Sequence, residues 1–249
     1  MKTLSLKAQL ESGNTVVAPG VFDAFSASSA EKAGFSAAYI SGASVSYSHF
    51  GLPDIGLVSM REVADTLSNI RERVDIPLIV DADTGFGNAI NVQRTVKLFE
   101  RNGANCIQLE DQTMPKRCGH LKGKGLVSTA EAVGKIKAAV DARASEETLI
   151  MSRTDAIAVE GFDAALERAE RYLEAGADIL FIEAPNNEEE MRTLTGQFKA
   201  RVPLLANMVE GGFTPMFDAE KLTEIGYQIV IFPGGLFRAR SFMEQEYFT

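Results

Sequence analysis

Positive charge is scarce in this chain. Lys and Arg number 25 against 34 Asp and Glu in 249 residues, a formal net charge of -9. A nucleic-acid groove or an anionic membrane surface needs a basic face, so neither partner is expected. The deficit leaves anionic substrates open, because one local Arg or a metal ion overrides the global charge. Cysteine is scarcer still. Cys106 and Cys118 stand alone, too few for a disulfide framework in a chain of this size, which points to a reducing, cytoplasmic setting. Histidine is limited to His49 and His120, and that excludes a His-rich zinc site. No apolar run approaches the roughly 20 residues of a membrane helix, and Met1–Leu10 lacks the apolar stretch of a signal peptide. Pro/Ser-rich linkers, low-complexity tracts and composition shifts are also missing, so residues 1–249 read as one domain.

What is there is alternation. The apolar runs Thr15–Gly20, Ala37–Ser41, Pro77–Asp83, Cys106–Asp111, Thr148–Asp155, Ile179–Ala184, Pro203–Met208 and Gln228–Pro233 read as strands. Their near-continuous apolar character suits a parallel sheet covered on both faces. Between them, Asn91–Asn102, Thr129–Arg143, Phe162–Ala175 and Asn187–Lys199 carry apolar residues three or four apart, the helical period. Eight such strands alternating with about eight helices predict an α/β protein, a (β/α)8 TIM-type barrel. A doubly wound open sheet would show a Gly-rich phosphate loop after its first strand, and Pro19-Gly20-Val21-Phe22-Asp23 is not one. The phrases Glu31-Lys32-Ala33-Gly34, Arg101-Asn102-Gly103-Ala104 and Glu174-Ala175-Gly176-Ala177 repeat a helix stop followed closely by a strand.

A barrel carries its chemistry at the C-terminal strand ends. The second run ends in Tyr39-Ile40-Ser41-Gly42-Ala43, the third in Asp81-Ala82-Asp83 and the fourth in Glu110-Asp111-Gln112. The fifth ends in Arg153-Thr154-Asp155, the sixth in Glu183 and the seventh in Asn207, and the eighth precedes Arg238. Asp81, Asp83 and Glu110 are hard oxygen donors, suited to Mg²⁺ or Mn²⁺. Asp81 and Asp83 share strand parity and are expected to face one way, with Gly85 and Gly87 letting a ligand approach the backbone. Any one of these carboxylates alone serves equally as a helix cap or an Arg partner. Cys106 sits in an apolar run and reads as a small core hydrophobe. Cys118 lies in a polar, glycine-containing loop beside Lys116, Arg117 and His120, and cationic neighbours stabilise a thiolate. Gly119, Gly123 and Gly125 give residues 115–125 the hinges of a mobile lid. Arg117, Lys122 and Lys124 read equally well as solvated surface charges.

These residues resemble the isocitrate lyase/phosphoenolpyruvate mutase superfamily, in particular its short bacterial and plant lyases. The matching phrases are Tyr39-Ile40-Ser41-Gly42, Gly51-Leu52-Pro53-Asp54-Ile55-Gly56, the stretch from Asp81 to Gly87, the stretch from Asn91 to Val96, Glu110-Asp111-Gln112, Lys116-Arg117-Cys118-Gly119-His120, Arg153-Thr154-Asp155 and the stretch from Asn207 to Gly212. The resemblance implies a barrel, a homotetramer with a C-terminal helix exchanged between subunits, and Mg²⁺ (with Mn²⁺ as substitute) held mainly through water by Asp81, Asp83 and Glu110. It implies substrate contacts from Ser41, Gly42, Ala43, Arg153, Glu183, Asn207, Gly119 and Arg238. It assigns the chemistry to Cys118, Tyr39, Asp54, Lys116 and His120. The chain stops about fifteen residues after its eighth strand, earlier than is usual for such proteins, so the exchanged helix is expected to be incomplete.

The Cys-Gly-His loop is typical of the carbon–carbon lyases in this superfamily. Phosphoenolpyruvate mutases and oxaloacetate decarboxylases differ there, whereas carboxyphosphonoenolpyruvate mutases do not. Leu121-Lys122-Gly123-Lys124 and Asn207-Met208-Val209-Glu210-Gly211-Gly212 look more like the 2,3-dimethylmalate and 2-alkylmalate lyases than the 2-methylisocitrate lyases. The expected reaction is a retro-aldol cleavage of a di- or tricarboxylate to pyruvate and a second carboxylate, with Cys118 as the acid. A catalytically silent barrel that senses α-keto acids is the rival from another class.

Overall fold

Each of the eight apolar runs forms a strand, and every pairing between them is parallel. The computed structural model describes residues 4–119, 121 and 123–249. The strands are β1 Val16–Val21, β2 Ala38–Ile40, β3 Leu78–Asp81, β4 Cys106–Glu110, β5 Leu149–Thr154, β6 Ile179–Ile182, β7 Leu205–Asn207 and β8 Ile229–Phe232. They lie in the order β6-β5-β4-β3-β2-β1-β8-β7. A parallel bridge from Leu180 to Leu204, just ahead of β7, brings the two ends together. The result is a nearly closed (β/α)8 barrel. The strands are shorter than the apolar runs because the residues past each strand end turn out of the ladder to build the site.

The described helices are α1 Leu6–Glu11, α2 Ala24–Lys32, α3 Gly42–Val45, α4 Met60–Arg71, α5 Ala89–Arg101, α6 Thr129–Ala142, α7 Ile157–Glu160, α8 Phe162–Glu174, α9 Glu188–Phe198, α10 Ala219–Ile225 and α11 Gly235–Phe248. A π-helical turn, Ser46–Phe50, continues α3. Local sequence sets the helix limits. Ser59 caps α4 and Glu62 returns a side-chain bond to the Ser59 amide; such a cap contributes about 1 kcal/mol. Helix α5 buries Val92, Thr95, Val96 and Phe99, one face at the 3.6-residue period. Gly34, Gly103 and Gly176 end the repeated phrases at φ 91°, 93° and 101°, the left-handed stop expected of them.

The barrel interior is filled by alternate strand residues, among them Val16, Tyr39, Ile79, Cys106, Met151, Ile179, Phe181, Leu205 and Ile231, with Leu6 of α1 in the same cluster. The other strand face packs against the helices, with Val80, Ile107 and Ile150 on one side and Leu180, Ile182 and Val230 on the other. Among the described residues no helix is long and apolar enough to cross a membrane.

Candidate active site

The inward parity of the strands continues upward into polar residues. Two residues above Ile79 stands Asp81, two above Gln108 stands Glu110, two above Met151 stands Arg153, and two above Phe181 stands Glu183. Asp81, Glu110, Arg153 and Glu183 are all buried. Each carboxylate or guanidinium therefore sits on a floor of core side chains. Arg153 shows the arrangement best: its guanidinium lies 5.0 Å above the ring of Phe181. It donates to both oxygens of Asp155 at 3.0 Å and lies 3.5 Å from Glu110 and 3.8 Å from Glu183. Asn207 donates to both Glu183 oxygens at 3.1 and 3.2 Å. Burial alone would lower the Arg153 pKa, but Asp155, Glu183 and Glu110 outweigh it and hold the guanidinium charged.

Asp81 and Asp83 meet over Gly42, where an added Cβ would stand 3.1 Å from Asp81 Oδ2 and 3.5 Å from Asp83 Oδ1. Strand parity is not the reason. β3 ends at Asp81, and Asp83 takes φ 46° in a turn that its own amide closes on Asp81 Oδ1 at 3.1 Å. Nor do Gly85 and Gly87 face a ligand: added side chains there would strike Val92 and Asn91, so these glycines serve the turn into α5. Left-handed backbone at the non-glycine residues Asp83, Phe86 and Ala184 is confined to this end of the barrel, where strain is commonly held for function. Ser41 caps α3 by accepting from the Ser44 amide at 3.2 Å.

Tyr39 donates to Gln108 at 2.9 Å, and Gln108 in turn donates to Asp81 at 3.1 Å. Burial, with Asp81 beside it, pushes the Tyr39 phenol well above its usual range, so it braces Asp81 as a neutral donor. Lys116 is buried between Asp54, to which it donates, and Asp83 Oδ1 at 2.9 Å. Burial opposes its charge, yet Asp83, Glu110, Asp54 and Asp81 together hold the ammonium well above its ordinary value. Asp83 is pushed up to about 6, by burial first and then by Asp81 and Asp54 against the pull of Lys116. Burial likewise drives Glu110 well upward.

Among the described residues, no three His, Cys, Asp or Glu side chains converge tightly enough to cage a metal ion directly. Glu110 Oε1 is nonetheless buried without a hydrogen-bond partner among those residues, and Asp83 Oδ1 is met by the Lys116 ammonium. An orphaned carboxylate oxygen beside the Asp81 and Asp83 carboxylates suits a hard divalent cation that keeps part of its water shell. Mg²⁺ binds in that manner.

The loop after β4 closes over this cluster. Its legs are pinned by the Thr113 amide on the Gly125 carbonyl at 2.8 Å and by Gln112, which accepts from the Arg117 amide at 2.9 Å and donates to its carbonyl at 2.8 Å. Cys118 is half-buried and free of disulfide. Gly119 is buried, and a Cβ there would overlap Glu183 Oε1 and Arg153 Nη2. Only a residue without a side chain lets the backbone lie on that ion pair. His120 lies outside the described residues. Arg117 is exposed, as a surface charge would be. Lys124 is not: its side chain is 2 % exposed, and its ammonium meets Asp155 at 2.9 Å and donates to the Gly119 carbonyl.

Of the sequence-derived candidates, Ser41, Gly42, Asp54, Asp81, Asp83, Glu110, Lys116, Gly119, Arg153, Glu183 and Asn207 line one end of the barrel, with Ala43 in the first turn of α3. Arg238 stays at the rim on α11, about half exposed, donating to the Glu210 carbonyl and to its carboxylate at 3.0 Å. Sequence reasoning missed the roles of Gln108, Lys124 and Asp155. It also missed Tyr47 in the π-helical turn, which stacks 5.4 Å from Phe237 and whose phenol is raised by burial, then by Asp54 and Cys118. Gln108 and Asp155 shared the inward parity of Asp81 and Arg153, a signal present in the sequence. Lys124 gave none.

Comparison with known proteins then decides the family. The family described as phosphoenolpyruvate phosphomutase matches residues 6–246. The chain belongs to the phosphoenolpyruvate phosphomutase family. Within it, a 2-methylisocitrate lyase of Aeropyrum pernix is 52% identical over 95% of this chain and 75% of that protein. A 2,3-dimethylmalate lyase of Eubacterium barkeri is 50% identical over 92% of this chain and 78% of that protein. A crystal structure of a 2,3-dimethylmalate lyase superposes with a TM-score of 0.92 at 37% identity, covering 96% of this chain and 80% of that one. A phosphonopyruvate hydrolase solved with oxalate and Mg²⁺ gives 0.87 at 34% identity, covering 100% and 86%. This family member is an enzyme, a carbon–carbon lyase.

Proposed function

We propose that the enzyme cleaves a 2-alkylmalate-type dicarboxylate, of the 2,3-dimethylmalate class, to pyruvate and a second carboxylate. The observation that carries the reading is Gly119, next to Cys118, seated on Arg153 and Glu183 at the barrel end that also holds the Asp81, Asp83 and Glu110 carboxylates. In this reading an acid and a cation-binding carboxylate cluster would work together at one end of the barrel.

Asp81, Asp83 and Glu110 would hold Mg²⁺, which when bound polarises the substrate hydroxyl and α-carboxylate. The first-turn amides of Gly42 and Ala43 and the Arg153 guanidinium would orient the carboxylates. Tyr39, which donates to Gln108, would brace the site as a neutral phenol. Asp54, paired with Lys116, would take the hydroxyl proton. The carbon–carbon bond then breaks, leaving its electron pair on the carboxylate-bearing fragment. Cys118 delivers a proton to that carbon. Loop 115–125 closes to exclude water during these steps.

Substrate size follows from charge. Among the described residues, Lys116, Lys124 and Arg153 are each already matched by buried carboxylates, and Glu210 detains Arg238 at the rim. Two substrate carboxylates are easier to neutralise here than three. The second reading is 2-methylisocitrate cleavage, favoured by the identity to the Aeropyrum pernix protein. A pyruvate-release assay over 2,3-dimethylmalate, 2-ethyl-3-methylmalate, 2-methylisocitrate, isocitrate and oxaloacetate separates them. Preference for 2-methylisocitrate would replace the first reading with the second. Cys118→Ser should lose turnover by orders of magnitude while still binding pyruvate with Mg²⁺; near-normal cleavage would remove the thiol from the mechanism.

Two further expectations belong to this reading. Neither Cys106 nor Cys118 is in a disulfide, in keeping with a cytoplasmic enzyme. Helix α11 buries none of its residues and exposes Phe242, Met243, Tyr247 and Phe248, a face suited to association into a homotetramer.

A further inference from the structure

We infer that Lys124 is a positioning residue that latches the catalytic loop and ties its closure to the substrate-binding arginine. Lys124 lies six residues beyond Cys118, yet its side chain returns to the barrel mouth. There the ammonium spans two groups, the Asp155 carboxylate at 2.9 Å and the Gly119 carbonyl. Asp155 is fully buried and is shared, since Oδ1 accepts from Lys124 and Arg153 Nη2 while Oδ2 accepts from Arg153 Nε. Gly119 is the residue whose backbone rests on Arg153 and Glu183. The four groups form a closed circuit: Lys124 to Gly119, Gly119 onto Arg153, Arg153 to Asp155, Asp155 back to Lys124. Lys124 borders a cleft of about 500 Å³ with Leu121, Ile157, Val159 and Phe213, yet its side chain and that of Asp155 are buried. That burial gives the ion pair more weight than an exposed one has.

The circuit has a functional consequence. When Lys124 is seated, the Cys118–Gly119 peptide is fixed against the guanidinium that holds the substrate carboxylate. When Lys124 leaves, Asp155 serves Arg153 alone and the loop loses its inner anchor. Lys124 touches neither the substrate carbon nor the metal carboxylates, so its effect is on the placement of Cys118.

The test compares Lys124→Met and Lys124→Arg with the wild-type chain, using amide hydrogen exchange without ligand and steady-state kinetics on the best substrate of the panel. The kinetic arm rests on the proposed lyase reading; the exchange arm does not. The expectation is that Lys124→Met speeds exchange of the peptide spanning 113–127 about tenfold, leaves peptides of α5 and α8 unchanged and keeps Tm within about 2 °C. Its kcat should fall at least tenfold with KM changed less, and Lys124→Arg should restore most of both properties. Wild-type exchange in the Lys124→Met loop overturns the latch. A general rise in exchange with a large fall in Tm, or failure of Lys124→Met and Lys124→Gln alike to fold, overturns it in favour of a structural pillar. Absence of pyruvate release by the wild type would instead count against the lyase reading and leave the exchange result to decide the latch.

Discussion

One methyl group at Gly119 should disable the enzyme without unfolding it. The Cβ of Gly119→Ala would overlap Glu183 Oε1 and Arg153 Nη2. Neither side chain has room to retreat, because Asn207 holds Glu183 and Asp155 holds Arg153 from both sides. Overpacking a site that cannot yield costs about 1–3 kcal/mol. The loop avoids that cost by staying open, so the full penalty falls on closure. At about 1.4 kcal/mol per tenfold, the closed population and kcat should drop roughly 5- to 150-fold. Fold stability should be almost untouched, since no described residue between 115 and 125 belongs to the buried core clusters. The control is Gly134→Ala in α6, where the same methyl meets nothing within 4 Å and alanine favours the helix by up to about 1 kcal/mol. Steady-state kinetics and thermal melts on both variants make the check. A Gly119→Ala enzyme within twofold of wild-type kcat would refute the seated-loop geometry.

Two other outcomes follow from buried charge. With EDTA present, the wild-type chain should resist urea better at pH 5.5 than at pH 7.5. Asp83, at about 6, and Glu110, also driven well upward by burial, take up protons when folded at a pH where the unfolded chain stays ionised. That gain grows as pH falls from about 7 toward 4. Below that, protonating Asp155, held near 2 by Arg153 and Lys124 against burial, reverses it. A midpoint that falls steadily between pH 7.5 and 5.5 would contradict the crowded-carboxylate account. Asp111→Ala should destabilise by about 3–5 kcal/mol, lowering Tm by roughly 6–20 °C. It strands Thr154, Tyr172, Arg168 and the Asp155 amide, all of which use that buried carboxylate. A melt within 2 °C of wild type would show the network to be dispensable.

The barrel was legible because its signals are local and repeated. Apolar runs marked the strands, and glycines at Gly34, Gly103 and Gly176 marked the helix ends. The strand-end residues were legible too, since the fold fixes which end carries chemistry. What escaped depended on torsion and on long side chains. Nothing in Asp81-Ala82-Asp83 reveals that β3 stops at Asp81 and that a positive φ, not the pleat, brings the second carboxylate round. Nothing around Lys124 tells a solvated lysine from one whose ammonium returns to the barrel mouth. Arg238 was placed in the site by resemblance, and Glu210 keeps it at the rim.

The shared parity of floor and site has a consequence for how such an enzyme can vary. In β4, Gln108 and Glu110 face inward while Ile107 and Leu109 face the helices. Inserting or deleting a single residue there would exchange the two sets, turning a carboxylate toward the helix layer and a leucine toward substrate. The strands are therefore read in a fixed frame, and indels within them erase core and chemistry together. Loops that begin only after the polar layer carry no such frame. Variants that change length, by design or by descent, should survive only where the loop carries no site residue of its own, which excludes the segment from Gln112 to Leu126, and should vanish within the strands.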